Sequence, residues 1–106
     1  VRDFTYIDDV VNSITKLILK KPISRIPYRV INICSSNPTS LNKFVKEIEI
    51  NLQKKSKINK LPKQLGDVHK THGDNTKLAK LIKYFPKTKI EIGVKNFVKW
   101  YKDYFK

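Results

Sequence analysis

Asp8-Asp9-Val10-Val11-Asn12-Ser13-Ile14-Thr15-Lys16-Leu17-Ile18, followed after Pro22 by Tyr28-Arg29-Val30-Ile31-Asn32-Ile33, is the stretch that decides how this chain reads. In the first part Val10, Val11, Ile14, Leu17 and Ile18 fall at i, i+1, i+4, i+7 and i+8, one face of a helix. The spacing predicts a helix over 8–21, with Asp8 or Asp9 as its cap and Pro22 as its stop. The second part is a short β-branched run ending in Ser35-Ser36-Asn37-Pro38, which predicts a buried strand over 28–33 and then a turn.

Downstream, Ser40 can cap a helix whose Leu41, Phe44, Val45, Ile48 and Leu52 share a face, until Lys54-Lys55-Ser56-Lys57 breaks the pattern. Residues 57–61 form a candidate edge strand with Pro62 directly after it. The stretch from Leu65 to Asp74 holds two Gly-Asp pairs and little apolar periodicity, so it is predicted to be loop. Asp74 can cap a short helix bearing Leu78, Ala79 and Ile82, which ends before Pro86. Thr88-Lys89-Ile90-Glu91 has the pattern of a capping box and opens a last helix with Ile90, Val94, Phe97, Val98, Tyr101 and Phe105 on one side. One or two strands do not make a self-sufficient sheet, so further strands are expected upstream.

Composition narrows the function classes. The chain has 106 residues, 40% hydrophobic and 30% charged, which suits one small globular unit with a thin stability margin. It starts Val1-Arg2-Asp3-Phe4, without initiator methionine or signal-like apolar region, and this reads as a cut in a longer chain. Apolar runs are far short of the roughly 20 residues needed to span a bilayer. The single cysteine, Cys34, leaves no internal disulfide, and the cytoplasm is the expected compartment. A net charge of +14 raises the alternative of a small basic nucleic-acid-binding module. The charge is diffuse, however, and only Arg2, Arg25 and Arg29 are arginines, so a solvated lysine surface is the better account.

The decapeptide Arg2-Asp3-Phe4-Thr5-Tyr6-Ile7-Asp8-Asp9-Val10-Val11 resembles the stretch that opens a late helix in extended short-chain dehydrogenase/reductases, the NAD-dependent epimerase/dehydratase family. Val30-Ile31-Asn32-Ile33 with Asn37-Pro38, then Leu41, Phe44 and Glu49, resemble the strand, loop and helix that follow there. Gly66-Asp67-Val68 with Thr71 and Asp74 is similar to that family's nucleotide-binding loop. Pro86, Thr88, Ile90-Glu91, Gly93, Phe97-Val98 and Trp100-Tyr101 resemble the final helix of its UDP-glucuronate 4-epimerase branch.

The resemblance implies an α/β fold class: residues 1–106 would be the mostly helical C-terminal substrate-binding region of an extended Rossmann-fold enzyme, with one or two short strands. The NAD-binding N-terminal domain would lie outside this chain. It also implies an NAD-dependent isomerase in polysaccharide biosynthesis, epimerising the C4 of a UDP-sugar by removing and returning hydride. A homodimer of the parent enzyme is compatible with it. Arg2 would contact the phosphates or uridine, Asp67 the ribose, and Gln64 would replace an arginine that UDP-galactose epimerases carry. No catalytic residue and no metal are expected in this chain. Gly66, Gly73 and Gly93 are too dispersed for a dinucleotide fingerprint. None of Tyr6, Tyr28, Tyr84, Tyr101 and Tyr104 has a lysine four places on, the family's acid/base pair.

His69 and His72 have a spacing that two metal ligands could use, but no third ligand is evident. Cys34 stands where the family resembles Asn-Ile-Gly and reads as a small buried hydrophobe. The aromatics Trp100, Tyr101, Tyr104 and Phe105 read as core and interface rather than a base-stacking platform.

Overall fold

In the computed structural model, which describes residues 1–23 and 25–106, four helices follow in order: α1 (Ile7–Ile18), α2 (Leu41–Leu52), α3 (Thr76–Ile82) and α4 (Ile90–Tyr104). They pack in two pairs, α2 against α4 and α1 against α3. The Cα radius of gyration is 17.0 Å, whereas about 13 Å is usual for a compact domain of this length. The principal extents of 54 × 36 × 20 Å describe a thin slab. The buried apolar set is correspondingly small: Cys34, Leu78, Ile82, Val94 and Val98.

The expected α/β class with one or two short strands is not what forms. Among the described residues there is no β-strand, only one isolated antiparallel bridge in which Arg2 and Thr39 exchange both backbone hydrogen bonds, at 2.9 and 2.8 Å. Residues 28–33 and 57–61 both stay irregular. A strand exists by virtue of a partner ladder, and β-branched composition alone supplies none. The run from Tyr28 to Ile31 instead lies beside Lys77, Lys80 and Leu81 of α3.

Helix boundaries follow local chemistry, with three departures. Ser40 caps α2 as its position suggests, accepting from the Lys43 amide at 3.2 Å. Residues 65–74 are irregular as expected, with Gly66 at φ +85°, a backbone region open to glycine. First, α1 begins at Ile7 on Tyr6 without a side-chain cap, and both aspartates lie in its first turn, where they face the positive end of the helix dipole. Second, Asn75 is the N-terminal flank of α3, and Asp74 serves the helix from one place earlier by accepting from the Thr76 amide and hydroxyl at 2.8 and 2.6 Å. Third, the capping box of α4 does not form, because its two side chains are taken elsewhere. Thr88 is held by Asp9, and Glu91 reaches across to Lys43 of α2 at 2.6 Å.

Asp9 is the main polar tie of the fold. Only 7% exposed, it accepts from the Tyr84 hydroxyl at 2.8 Å and from the Lys87 and Thr88 amides at 3.2 and 2.9 Å. One carboxylate thus fixes α1 to the α3–α4 connection. Burial alone would raise its pKa, but the Thr88 hydroxyl and amide, Tyr84 and the Lys87 amide outweigh that and hold it below the usual value.

Candidate functional site

The first three residues are stitched to two loops. The Val1 ammonium donates to the His69 carbonyl at 3.2 Å, the Thr71 amide donates to the Val1 carbonyl at 3.2 Å, and the Asp3 amide donates to the Thr71 hydroxyl at 2.9 Å. Phe4 then stacks on Phe44 of α2, ring centroids 4.4 Å apart, which fixes where the segment leaves the site. Gly93 leaves room for Tyr6 on α4, since a Cβ there would stand 3.2 Å from the Tyr6 ring.

Asp3 organises this corner, a role that sequence reasoning missed. Its Oδ1 accepts from the Ser35 hydroxyl at 2.6 Å and the Asn37 amide at 3.2 Å, and its Oδ2 from the Ser36 and Gly73 amides at 3.1 and 2.9 Å. Burial works against the charge, yet the Ser35 hydroxyl and the Gly73, Asn37 and Ser36 amides prevail and keep the carboxyl more acidic than usual. The turn cluster Ser35-Ser36-Asn37 was the available signal: consecutive amides in a turn make an anion-binding concavity.

Of the expected site residues, the structure joins Arg2 and Asp67, 65 places apart: Nη2 of Arg2 donates to Oδ1 of Asp67 at 2.6 Å, and Nη1 to the Val1 carbonyl at 3.0 Å. Gln64 belongs to the same turn, its carbonyl accepting from the Asp67 amide at 3.2 Å, with its side chain in solvent. Both charges are partly exposed, and each keeps unused hydrogen-bonding capacity: guanidinium has five donors and carboxylate about four acceptor sites. A guanidinium and a carboxylate, each with hydrogen-bonding sites to spare, therefore stand side by side.

The two histidines gather no third candidate ligand among the described residues. His72 Nε2 lies 3.2 Å from the Ser36 hydroxyl, and among the described residues no three His, Cys, Asp or Glu side chains gather as ligands. Cys34 is buried as expected. Burial, then the nearby Asp3 and Asp74 carboxylates, push its thiol pKa up, away from nucleophilic thiolate. The α4 aromatics are not core: Trp100, Tyr104 and Phe105 are exposed and pack on one another, while Val94 and Val98 are buried. No helix among the described residues is long and apolar enough to cross a membrane.

Cys34 and Gly73 are fitted to each other. A Cβ on Gly73 would lie 2.4 Å from the Cys34 Sγ. Gly73→Ala should therefore cost about 1–3 kcal/mol through overpacking. Adding Cys34→Gly should remove most of that cost in a double-mutant cycle read by urea denaturation. Additive effects of the two changes would refute the contact as the cause.

No family model matches the chain. Individual relatives do. It is 40% identical over 119 residues to an uncharacterized 37.6 kDa protein in the cld 5′ region of Escherichia coli O111:H-, covering 99% of this chain and 36% of that one. It is 36% identical over 115 residues to a probable UDP-glucuronate 4-epimerase of Rhizobium meliloti, covering 94% and 34%. Its backbone superposes with a TM-score of 0.81 and 25% identity on a tyrosine-to-phenylalanine variant of UDP-glucuronic acid 4-epimerase from Bacillus cereus, in complex with UDP-4-deoxy-4-fluoro-glucuronic acid and NAD. That match covers 96% of this chain and 32% of the other. The chain belongs to the NAD-dependent epimerase family of extended short-chain dehydrogenase/reductases. It spans about a third of the length of the family members it matches. The helical part of this epimerase fold is thus the part described above.

Proposed function

We propose that this chain is the nucleotide-holding part of an NAD-dependent UDP-sugar 4-epimerase, with UDP-glucuronate as the sugar nucleotide most in keeping with its relatives. The observation that carries the reading is the Arg2–Asp67 pair. Residues 65 places apart meet with the two chemistries that a nucleoside diphosphate requires. In the bound state the guanidinium turns donors toward the diphosphate, and the Asp67 carboxylate accepts from the ribose hydroxyls. Gln64, on the same turn, contributes a neutral amide rather than a third charge.

Hydride transfer to and from NAD, and the proton transfers at the sugar, belong to the preceding part of the parent enzyme. NAD supplies the hydride acceptor when bound there. The 106-residue chain is accordingly expected to show no turnover of UDP-glucuronate with added NAD, as followed by chromatographic separation of the epimers; measurable turnover would contradict this division of labour.

Asp67→Ala in the full-length enzyme should weaken UDP binding about tenfold, the loss of one charge-assisted hydrogen-bonding site. Isothermal titration with UDP tests this. Unchanged affinity would remove the ribose assignment, and tight, salt-sensitive binding of duplex DNA without a response to UDP would replace the epimerase reading.

A further inference from the structure

The fold gathers cations that are diffuse along the chain. No Asp or Glu stands between Asp9 and Glu47 or between Asp74 and Glu91. Within these stretches residues 16–29 carry five lysines or arginines and residues 77–83 three. The packing of α1 on α3 brings the two sets together. Two adjoining grooves share Arg29, Ile31 and Leu81; one takes in Lys77 and Lys80 of α3, the other Lys20 and Pro22. Lys16 of α1 lies over the Tyr84 ring just after α3, its Nζ 5.6 Å from the centroid. Beside the grooves, the connection after α1 alternates charge with bare apolar side chains. In Leu19-Lys20-Lys21-Pro22-Ile23 and Arg25-Ile26-Pro27-Tyr28-Arg29, Leu19 is 80%, Ile23 94%, Ile26 71% and Tyr28 73% exposed. A solvated basic face accounts for the cations, but not for holding aliphatic side chains in water among them.

We propose that the connection after α1, with the basic grooves beside it, is a docking surface for an anionic phospholipid membrane. The headgroup boundary of such a bilayer meets both halves of the pattern: lipid phosphates draw the ammonium and guanidinium groups, and Ile23 and Ile26 reach the edge of the acyl region while the lysine stems lie along it. Nucleic acid would satisfy the cations but leave the isoleucines in water, and its readers rely on arginine forks and stacked aromatics. A second copy is opposed by charge, since each carries +14. Attachment would be peripheral, in keeping with helices too short or too polar to cross a bilayer among the described residues. The surface goes beyond the nucleotide reading and uses neither Arg2 nor Asp67.

Vesicle flotation of the full-length enzyme tests this. The protein should float with vesicles of equal parts phosphatidylglycerol and phosphatidylcholine and stay behind with phosphatidylcholine alone. Ile23→Ser with Ile26→Ser, and separately Lys21→Glu with Arg25→Glu, should each lower the partition coefficient about tenfold or more; all four side chains are exposed. Lys99→Glu with Lys106→Glu, at the end of α4, removes as much charge and should change it less than about twofold. Absence of flotation with the anionic vesicles would overturn the proposal. So would unchanged binding of either loop variant, or an equal loss in the α4 variant, which would leave net charge as the whole cause. Duplex DNA that displaces the vesicles, and whose binding is indifferent to Ile23→Ser with Ile26→Ser, would assign the cations to nucleic acid instead. A UDP titration of the same protein bears on the Arg2–Asp67 reading alone, so either can fail without the other.

Discussion

Asp9→Ala is expected to lower the unfolding free energy by about 3–5 kcal/mol, because it strands several donors at once. The Tyr84 and Thr88 hydroxyls and the Lys87 and Thr88 amides lose their acceptor in a place where water has little access. A loss of that size is a large part of the total stability of a small domain, typically about 5–15 kcal/mol. Urea denaturation followed by far-ultraviolet circular dichroism measures it. Asp8→Ala is the internal control: the side chain is one place away in the same helical turn but exposed, so its effect should stay within about 0.5 kcal/mol. Similar losses at the two positions would show that helix-dipole charge, and not the tie to the α3–α4 connection, is what Asp9 provides.

Asp3→Asn should cost about 2–4 kcal/mol although it keeps the shape of the side chain. Each carboxylate oxygen accepts two donors, so the amide nitrogen of asparagine faces either the Ser35 hydroxyl and Asn37 amide or the Ser36 and Gly73 amides. Donor then meets donor in both orientations. Because Asp3 adjoins Arg2, the substitution should also weaken UDP binding in the full-length enzyme, in step with the loss of stability. The pH response has a definite sign. The Asp3 and Asp9 carboxyls both titrate below their usual value in the folded chain. Their stabilisation is therefore complete above the unfolded aspartate pKa of about 3.9 and is lost as pH falls through the lower folded values. Asp3→Asn should accordingly flatten the acid limb of the stability curve below about pH 4 and leave its neutral plateau lower but level. An acid limb as steep as in the unaltered chain would show that Asp3 is not one of the groups whose protonation drives acid unfolding.

These two carboxylates mark the boundary of what a sequence reveals. The helical spacing of Leu41, Phe44, Val45, Ile48 and Leu52, and the serine before them, was enough to place α2 and its cap. Two Gly-Asp pairs and the lack of apolar periodicity were enough to place the loop from Leu65 to Asp74. Arg2 and Asp67 were selected by family resemblance, and their contact across 65 positions came only with the folded chain. Asp3 was passed over because its four donors come from residues 35–37 and 73, which no local pattern connects to it. Thr88 and Glu91 fit a capping box by spacing, yet stronger partners on α1 and α2 claimed both side chains. The β-branched run from Tyr28 to Ile33 reads as strand for its composition, but pairing is a property of two segments, and no second one is supplied among the described residues.

By itself the sequence determined that the segment before Pro22 is helical and amphipathic, expected over 8–21 and found over Ile7–Ile18, because the period of its apolar side chains is local and backbone hydrogen bonds close within four residues. It could not determine which face of that helix turns inward. Tertiary structure decided this: the Asp9 carboxylate, held by Tyr84, Lys87 and Thr88, fixes the polar side to the body, so that Val10 and Leu17 are only half-buried and Ile7, Val11, Ile14 and Ile18 are left facing out. The physical reason is that a buried charge has few acceptable positions, all of them specified by partners distant in sequence, whereas apolar surface is non-directional and can be covered by any well-fitting neighbour.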